Sequence, residues 1–337
     1  MVSWKKHILA GTIIIFLVGL PIIIKRTDII NLLFLIFLFI TLSQSWNLLA
    51  GFAGQVNLGH AGFFGLGALT MRYLWLSGLP FILAFLLSGM TSLIFALIIG
   101  FPAFRLRGAY FVIGMLAMAE IMRITVGNAL PQISALPSEF IVRYSINQRY
   151  YMALMLATAT MILAYTLSES KQGLAMLAIK QDQDTSEATG VNTFKFKLLA
   201  LSLSALSAGL AGGVFAFFHV SYYPAHAFSS QWTFDSLFIA YIGGIGTVVG
   251  PVVGALFYIA LRELFSLLLP LQVHTIVFGV LFILVIFFMP RGLIEIPQKI
   301  KIILSYLGLQ KVLVKGPSAY PETLSKSNKI SNGGKRE

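Results

Sequence analysis

Long apolar runs separated by short polar intervals fill most of the chain. A helix needs about 20 apolar residues to cross the hydrocarbon core of a bilayer. Ten stretches approach that length: 8–24, 29–50, 52–76, 81–101, 106–126, 149–167, 197–219, 235–249, 251–269 and 273–289. The pattern predicts an all-α fold, a polytopic membrane helix bundle of about ten transmembrane spans, with eight to eleven compatible with it. Glycine breaks the pattern in 52–76 and in 235–269, and short runs are accommodated by tilt or local bilayer thinning. Lys5 and Lys6 before the first run resemble the start of a signal peptide. No small-residue cleavage site follows, however, and a second apolar run begins within a few residues, so the first run reads as a retained span.

Charge then orients the bundle. An even number of spans leaves both termini on one side. Placing them in the cytoplasm puts 17 of the 24 Lys and Arg inside, among them Arg105, Arg107, Lys171, Lys180, Lys195 and Lys197. The remainder, including Arg72, Arg123, Arg149 and Arg262, lie outside or near the outer interface. The expected organisation is a permease domain over 1–297 with a polar loop at 168–197, an interfacial amphipathic helix over 298–315, and a disordered cytoplasmic tail over 316–337. Composition agrees: 58% of residues are hydrophobic and 11% charged, with a mean hydropathy of +0.87, against roughly 25% charged in soluble domains. The net charge of +12 sits beside apolar runs and in the tail, which suits anionic membrane lipid rather than nucleic acid. The lack of cysteine excludes disulfides and thiolate metal sites.

Four segments carry chemistry. In 45–67 (SWNLLAGFAGQVNLGHAGFFGLG), six glycines accompany Asn47, Gln55, Asn57 and His60 at membrane depth. Backbone leaves the helix in a bilayer only where protein or a water-filled cavity satisfies it, so these four residues are candidates for a translocation path. The alternative is close packing of small residues with amides bonding across helices; glycine alone leaves the two even, and the amides and His60 favour the path. In 241–254 (YIGGIGTVVGPVVG), Gly246, Gly250 and Gly254 fall four apart on one helical face and Pro251 interrupts the run. With Gly243 and Gly244 they suggest a tight helix crossing, or a short turn between half-spans. A dinucleotide fingerprint is excluded, because Val249 stands where its third glycine belongs.

The third segment, 168–197, is the longest polar interval between spans. Asp184 and Glu187 have capping-box spacing and Gly190 supplies a helix stop, which predicts a short helix lying across the cytoplasmic face. Composition alone favours an ordinary solvated loop. Fourth, Glu120 and Arg123 share one face of 106–126; intramembrane charge marks function, but mutual pairing or snorkelling also accounts for them. No H-E-x-x-H, G-x-S-x-G or Gly-Lys-Ser/Thr motif occurs. Catalytic residues, metal and a nucleotide site in this chain are therefore not expected, and any ATP is hydrolysed by another chain.

The stretches 47–67, 105–123 (RLRGAYFVIGMLAMAEIMR), 173–207, 242–254 and 289–292 (MPRG) together resemble the LivM-type permeases of branched-chain amino acid ABC transporters, a family that also includes urea and amide permeases. The resemblance implies an ABC importer permease in the cell inner membrane. Its implied partners are a LivH-like second membrane subunit, two cytoplasmic ATPase subunits and a periplasmic or lipid-anchored solute-binding protein. It also makes 168–197 the coupling loop, with Asp182, Asp184, Glu187, Ala188 and Gly190 contacting the ATPase. One departure is 127–147, which lacks the glycine pair usual in the family's outer segment and puts the contacts with the binding protein, and the solute, in doubt. The expected solute is a zwitterionic aliphatic amino acid, with urea or a short amide second. An ion-coupled secondary transporter is the runner-up from another class, weakened by the scarcity of mid-membrane ionisable groups.

Overall fold

The computed structural model describes residues 2–24, 26–130, 134–135, 145–219 and 221–268, with scattered positions between 270 and 287 and the run 292–295. All but Glu295 fall in one compact unit, Met1–Ile294, and Glu295 opens a second, Glu295–Glu337. The expectations for 298–315 and 316–337 lie outside the described residues, and those for 273–289 and 127–147 largely so.

The elements in chain order are α1 (Val2–Ile23), α2 (Thr27–Asn47) continued by a π-helical turn (Leu48–Phe52), α3 (His60–Leu76), α4 (Phe81–Ala103), α5 (Ala109–Ala129), β1 (Ser134–Ala135) and α6 (Ile146–Ser168). There follow α7 (Lys171–Gln181), α8 (Gln183–Ala188), α9 (Thr193–Phe218), β2 (Ser221–Tyr222), α10 (Pro224–Ala227), α11 (Gln231–Gly243) and α12 (Gly250–Leu268). The two short strands form one antiparallel pair.

Among the described residues, six helices are long and apolar enough to cross a membrane: α2 with its π turn, α4, α5, α6, α9 and α12. Three expected spans differ in form. The expected span 52–76 is helical as α3 only from His60, after an irregular stretch at 54–59. The expected span 235–249 is α11, whose 13 residues reach only about 20 Å at 1.5 Å per residue, followed by an irregular turn. In α1 the described apolar part is Gly11–Ile23. The stagger of Gly246 with Gly250 and Gly254 on one helical face is corrected: Gly246 lies in the turn before α12, with φ +80°. Pro251 does not interrupt a helix either. It occupies the first turn of α12, where an N–H has no intrahelical acceptor.

The helices α2 and α9 are the most buried, with α9 packed on α3 and α4 and α2 on α6 and α11. Lipid is as apolar as leucine, so burial between helices does little to drive association; close backbone contact does more. A Cβ at Gly67 would stand 2.0 Å from the Gly209 carbonyl oxygen, and one at Gly212 would stand 2.0 Å from that of Phe64. Only glycine permits that α3–α9 approach. Ser92 adds an interhelical bond from α4 to the Phe63 carbonyl at 2.8 Å. Pro21 shows the same accounting within α1. Its missing N–H releases the carbonyl of Leu17, and Tyr150 of α6 donates to that oxygen at 2.7 Å.

Candidate functional site

Where α2 ends, its last turn widens and the chain breaks for six residues before α3. Asn47, the last residue of α2, bonds to a distant part of the chain. Its Nδ2 donates to the Thr247 carbonyl at 2.9 Å and its Oδ1 accepts from the Gly246 N–H at 2.8 Å. The α2 end is thereby tied to the turn joining α11 and α12. Gly51 must lack a side chain, since a Cβ there would lie 1.9 Å from Asn47 Oδ1. Asn57 reverses the chain: its Oδ1 accepts from Gly59 N–H at 2.7 Å while its carbonyl accepts from Trp46 Nε1 at 2.8 Å. His60 opens α3 with Nε2 2.8 Å from Ser45 Oγ, clipping the two helices across the break.

Asn47, Asn57 and His60 are thus buried and used in internal bonds. Gln55 differs. It lines a cavity of about 220 Å³ together with Arg107, Gln183 and Lys197, so the break and the polar segment 168–197 share one space.

That segment is built as two short helices. Ser170 caps α7 by accepting from Gly173 N–H at 3.1 Å. The cap of α8 is Asp182, not Asp184: Asp182 Oδ1 accepts from Thr185 N–H at 2.8 Å, which corrects the capping-box register by two residues. Glu187 instead accepts from Thr193 Oγ1 at 2.5 Å and Gln183 Nε2 at 3.0 Å. These bonds hold the carboxyls of Asp182 and Glu187 below the usual carboxylate range. The Thr185 backbone N–H is the main cause for Asp182, and the Thr193 hydroxyl for Glu187. Gly190, at φ +88°, ends α8 as expected: its N–H reaches the Glu187 carbonyl and the Val191 N–H reaches that of Ser186. This is the Schellman pattern, which needs the left-handed residue.

Outward, Asp182, Asp184, Glu187, Ala188 and Gly190 are all exposed. Inward, Lys180 Nζ donates to the Gly51 carbonyl at 2.7 Å. Within the segment Lys197 Nζ donates to Gln183 Oε1, and at the surface Arg107 pairs with Asp184 at 3.2 Å. Burial pulls the Lys180 ammonium below its ordinary pKa.

The glycines of 241–254 close the α11–α12 hairpin. A Cβ at Gly243 would meet the Gly250 carbonyl oxygen at 1.8 Å, and one at Gly254 would meet that of Ile239 at 2.0 Å. Gly244 turns with φ +128°. Glu120 and Arg123 pair at 2.7 Å, and Glu120 also accepts from Ser230 Oγ at 2.5 Å, so the pair tethers α5 to the start of α11.

One buried group escaped the sequence reading. Asp235, inside α11, accepts through Oδ1 from Gln231 Nε2 at 2.7 Å and Tyr258 Oη at 2.8 Å. It sits at the edge of its apolar run, and its second partner comes from α12. The i, i+4 spacing of Gln231 and Asp235 was the available signal.

Six long apolar helices among the described residues, with the break between α2 and α3 and the polar segment bonded beside it, make a polytopic membrane helix bundle. The chain belongs to the family described as branched-chain amino acid transport system, permease component, whose model matches residues 28–286. It is 25% identical over 330 residues to the high-affinity branched-chain amino acid transport system permease protein LivM of Salmonella typhimurium, covering 87% of this chain and 76% of the relative. A probable LivM of Methanocaldococcus jannaschii is 23% identical over 242 residues, covering 65% of this chain and 68% of the relative. The permease LivH of Salmonella typhimurium is 27% identical over 144 residues, covering 43% of this chain and 46% of the relative. No solved structure matches significantly.

Proposed function

We propose that this chain is one of two membrane subunits of an ATP-driven, binding-protein-dependent importer of branched-chain amino acids. It resides in the inner membrane with both termini and the 168–197 segment in the cytoplasm. A LivH-like permease pairs with it, two ATPase subunits dock beneath, and a periplasmic or lipid-anchored binding protein delivers the solute. ATP is hydrolysed by the partner subunits. The observation that carries this reading is the build of 168–197: an exposed acidic turn (Asp182, Asp184, Glu187, Ala188, Gly190) whose inner side is bonded to the α2 break through Lys180 and Gly51.

A push on that turn reaches the end of α2 through the Lys180–Gly51 bond, four residues before Gln55. Asn47, Asn57 and His60 shape the path by holding the break, and Gln55 faces the space between the break and the coupling segment. Closure of the ATPases rocks packed bundles against each other, so access alternates without catalysis by this chain. The test is calorimetry on the partner binding protein with leucine, isoleucine, valine and urea. Tight binding of the three amino acids is expected. Tight urea binding with no response to them would overturn the solute and leave the permease reading standing.

A further inference from the structure

Two ion pairs stand among the described residues. Arg107–Asp184 lies at the surface beside the polar segment, whereas Glu120–Arg123 lies within α5, one of the helices able to cross a membrane. Glu120 is the twelfth of the 21 residues of α5. At 1.5 Å per residue it stands about 16 Å along a helix of about 31 Å, near the middle of the span. Arg123 is three residues nearer the C-terminal end of α5, yet its Nε turns back to Glu120 Oε2 at 2.7 Å instead of reaching past that end. Both side chains stay open, 43% exposed for Arg123 and 35% for Glu120, on the helix that is least buried of the six. The Nε bond is the one Arg123 makes among the described residues, so the two terminal amino groups of its planar fork are unspent. Ser230 joins the cluster, giving its hydroxyl to Glu120 Oε1 at 2.5 Å just before the short helix α11 begins. A discontinuous helix near the bilayer midplane is where transporters commonly hold their solute.

Lipid does not solvate such a pair. Charges within spans face a water-filled cavity or the interior of a bundle, and this pair opens away from the helices of its own chain. We propose that the open face of α5 borders the aqueous translocation path, and that Glu120 and Arg123 form there a transient binding station for a zwitterionic amino acid. The station rests on the reading of the chain as an amino acid importer and gives that reading a contact for the cargo. The free fork of Arg123 takes the carboxylate through two parallel N–H bonds. The Glu120 carboxylate, which keeps lone pairs beyond those used by Arg123 and Ser230, takes the ammonium. Ala117, Ile121 and Ile124, exposed three and four residues apart on the same face, offer apolar surface to the side chain. Opposite charges side by side suit a zwitterion, whereas a lone acid meets half of the pair and urea meets no charge it can match. The internal pair keeps the empty station neutral. Exchanging one partner for another of like charge keeps binding weak, as release requires.

The chain has no cysteine, so Ala117→Cys places a single reporter on this face. The experiment is the rate at which a small membrane-impermeant methanethiosulfonate modifies it in the assembled importer in lipid nanodiscs, read on this chain by mass. Modification at the rate of a water-exposed thiol is expected, slowed severalfold by millimolar leucine but not by 4-methylpentanoate (leucine without its ammonium) or urea. Arg123→Gln is expected to leave the cysteine reactive and to raise the half-protecting leucine concentration at least about tenfold, the scale of a hydrogen bond to a charged group. Arg123→Lys, which keeps the charge and loses the fork, is expected to fall between the two. An unreactive cysteine would put lipid or a partner helix on this face and overturn the station. Equal protection by urea or 4-methylpentanoate, or undiminished protection by leucine in Arg123→Gln, would overturn the recognition of a zwitterion. Should Arg123→Gln fail to assemble, the comparison of the three solutes decides alone. Leucine uptake by the unsubstituted importer is measured in parallel, so a failed importer reading and a failed station are told apart.

Discussion

Lys180, at the end of α7, donates to the backbone carbonyl of Gly51 across 129 positions of sequence, at 2.7 Å. The last carbonyls of any helix lack intrahelical donors, and a cation at a helix C-terminus is favourable. The polar segment 168–197 therefore caps the helix that carries Asn47, just before the break that holds Gln55.

Lys180→Met keeps the stem and removes the donor. The site is partly open to solvent, so the stability cost is expected at about 1 kcal/mol. The larger effect is expected on coupling: ATP hydrolysis by the assembled importer continues while uptake per ATP falls several-fold. An uptake-to-hydrolysis ratio equal to wild type would mean that this bond transmits nothing.

At Gly190, with φ +88°, an added Cβ meets no atom within 4 Å. Any effect of substitution there is conformational rather than steric. Gly190→Val is expected to cost about 1–2 kcal/mol locally and to lower uptake, while Gly190→Asn, which tolerates the left-handed region, keeps most activity. Equal transport by the two variants would contradict the role given to this turn.

Acid should loosen α8 late. The folded-state pKa values of Asp182 and Glu187 lie below their ordinary values of 3.8 and 4.5. The stabilisation they give is therefore fully present above those ordinary values and is lost only as pH falls through the depressed ones. Amide exchange at Thr185, corrected for intrinsic rate, should stay constant from pH 7 to about 5 and accelerate below about 4. Acceleration already at pH 6 would contradict the assigned bonds.

Much of this was legible in the sequence, and the misses share a cause. Apolar runs located the helices because the bilayer admits little else, and Gly190 was readable because its role is local. The cap of α8 was misplaced to Asp184 because 182 and 184 are both Asp, two residues apart in a polar run, and composition does not say which one starts the helix. Gly246 was assigned to a helix because a four-residue spacing looks the same in a turn. Asp235 and Lys180 were passed over because their partners, Tyr258 and Gly51, come from other helices, and no spacing along the chain reports such a pairing.

Asp235 offers a test of the α11–α12 hairpin. Tyr258→Phe removes one of its two donors and is expected to cost about 1–3 kcal/mol. Combined with Asp235→Asn, the loss should be less than the sum of the two by about 0.5–3 kcal/mol. Thermal midpoints of the four proteins in detergent supply the cycle, and simple additivity would show that the contact stabilises nothing.

The central claim is tested most directly by leucine uptake into proteoliposomes holding this chain with its membrane partner and ATPase subunits. The binding protein is added on one side and ATP on the other. Uptake that needs both, and that Glu187→Lys abolishes without loss of assembly, is the expected result. Leucine uptake that ignores ATP and the binding protein and follows an imposed proton or sodium gradient would contradict it.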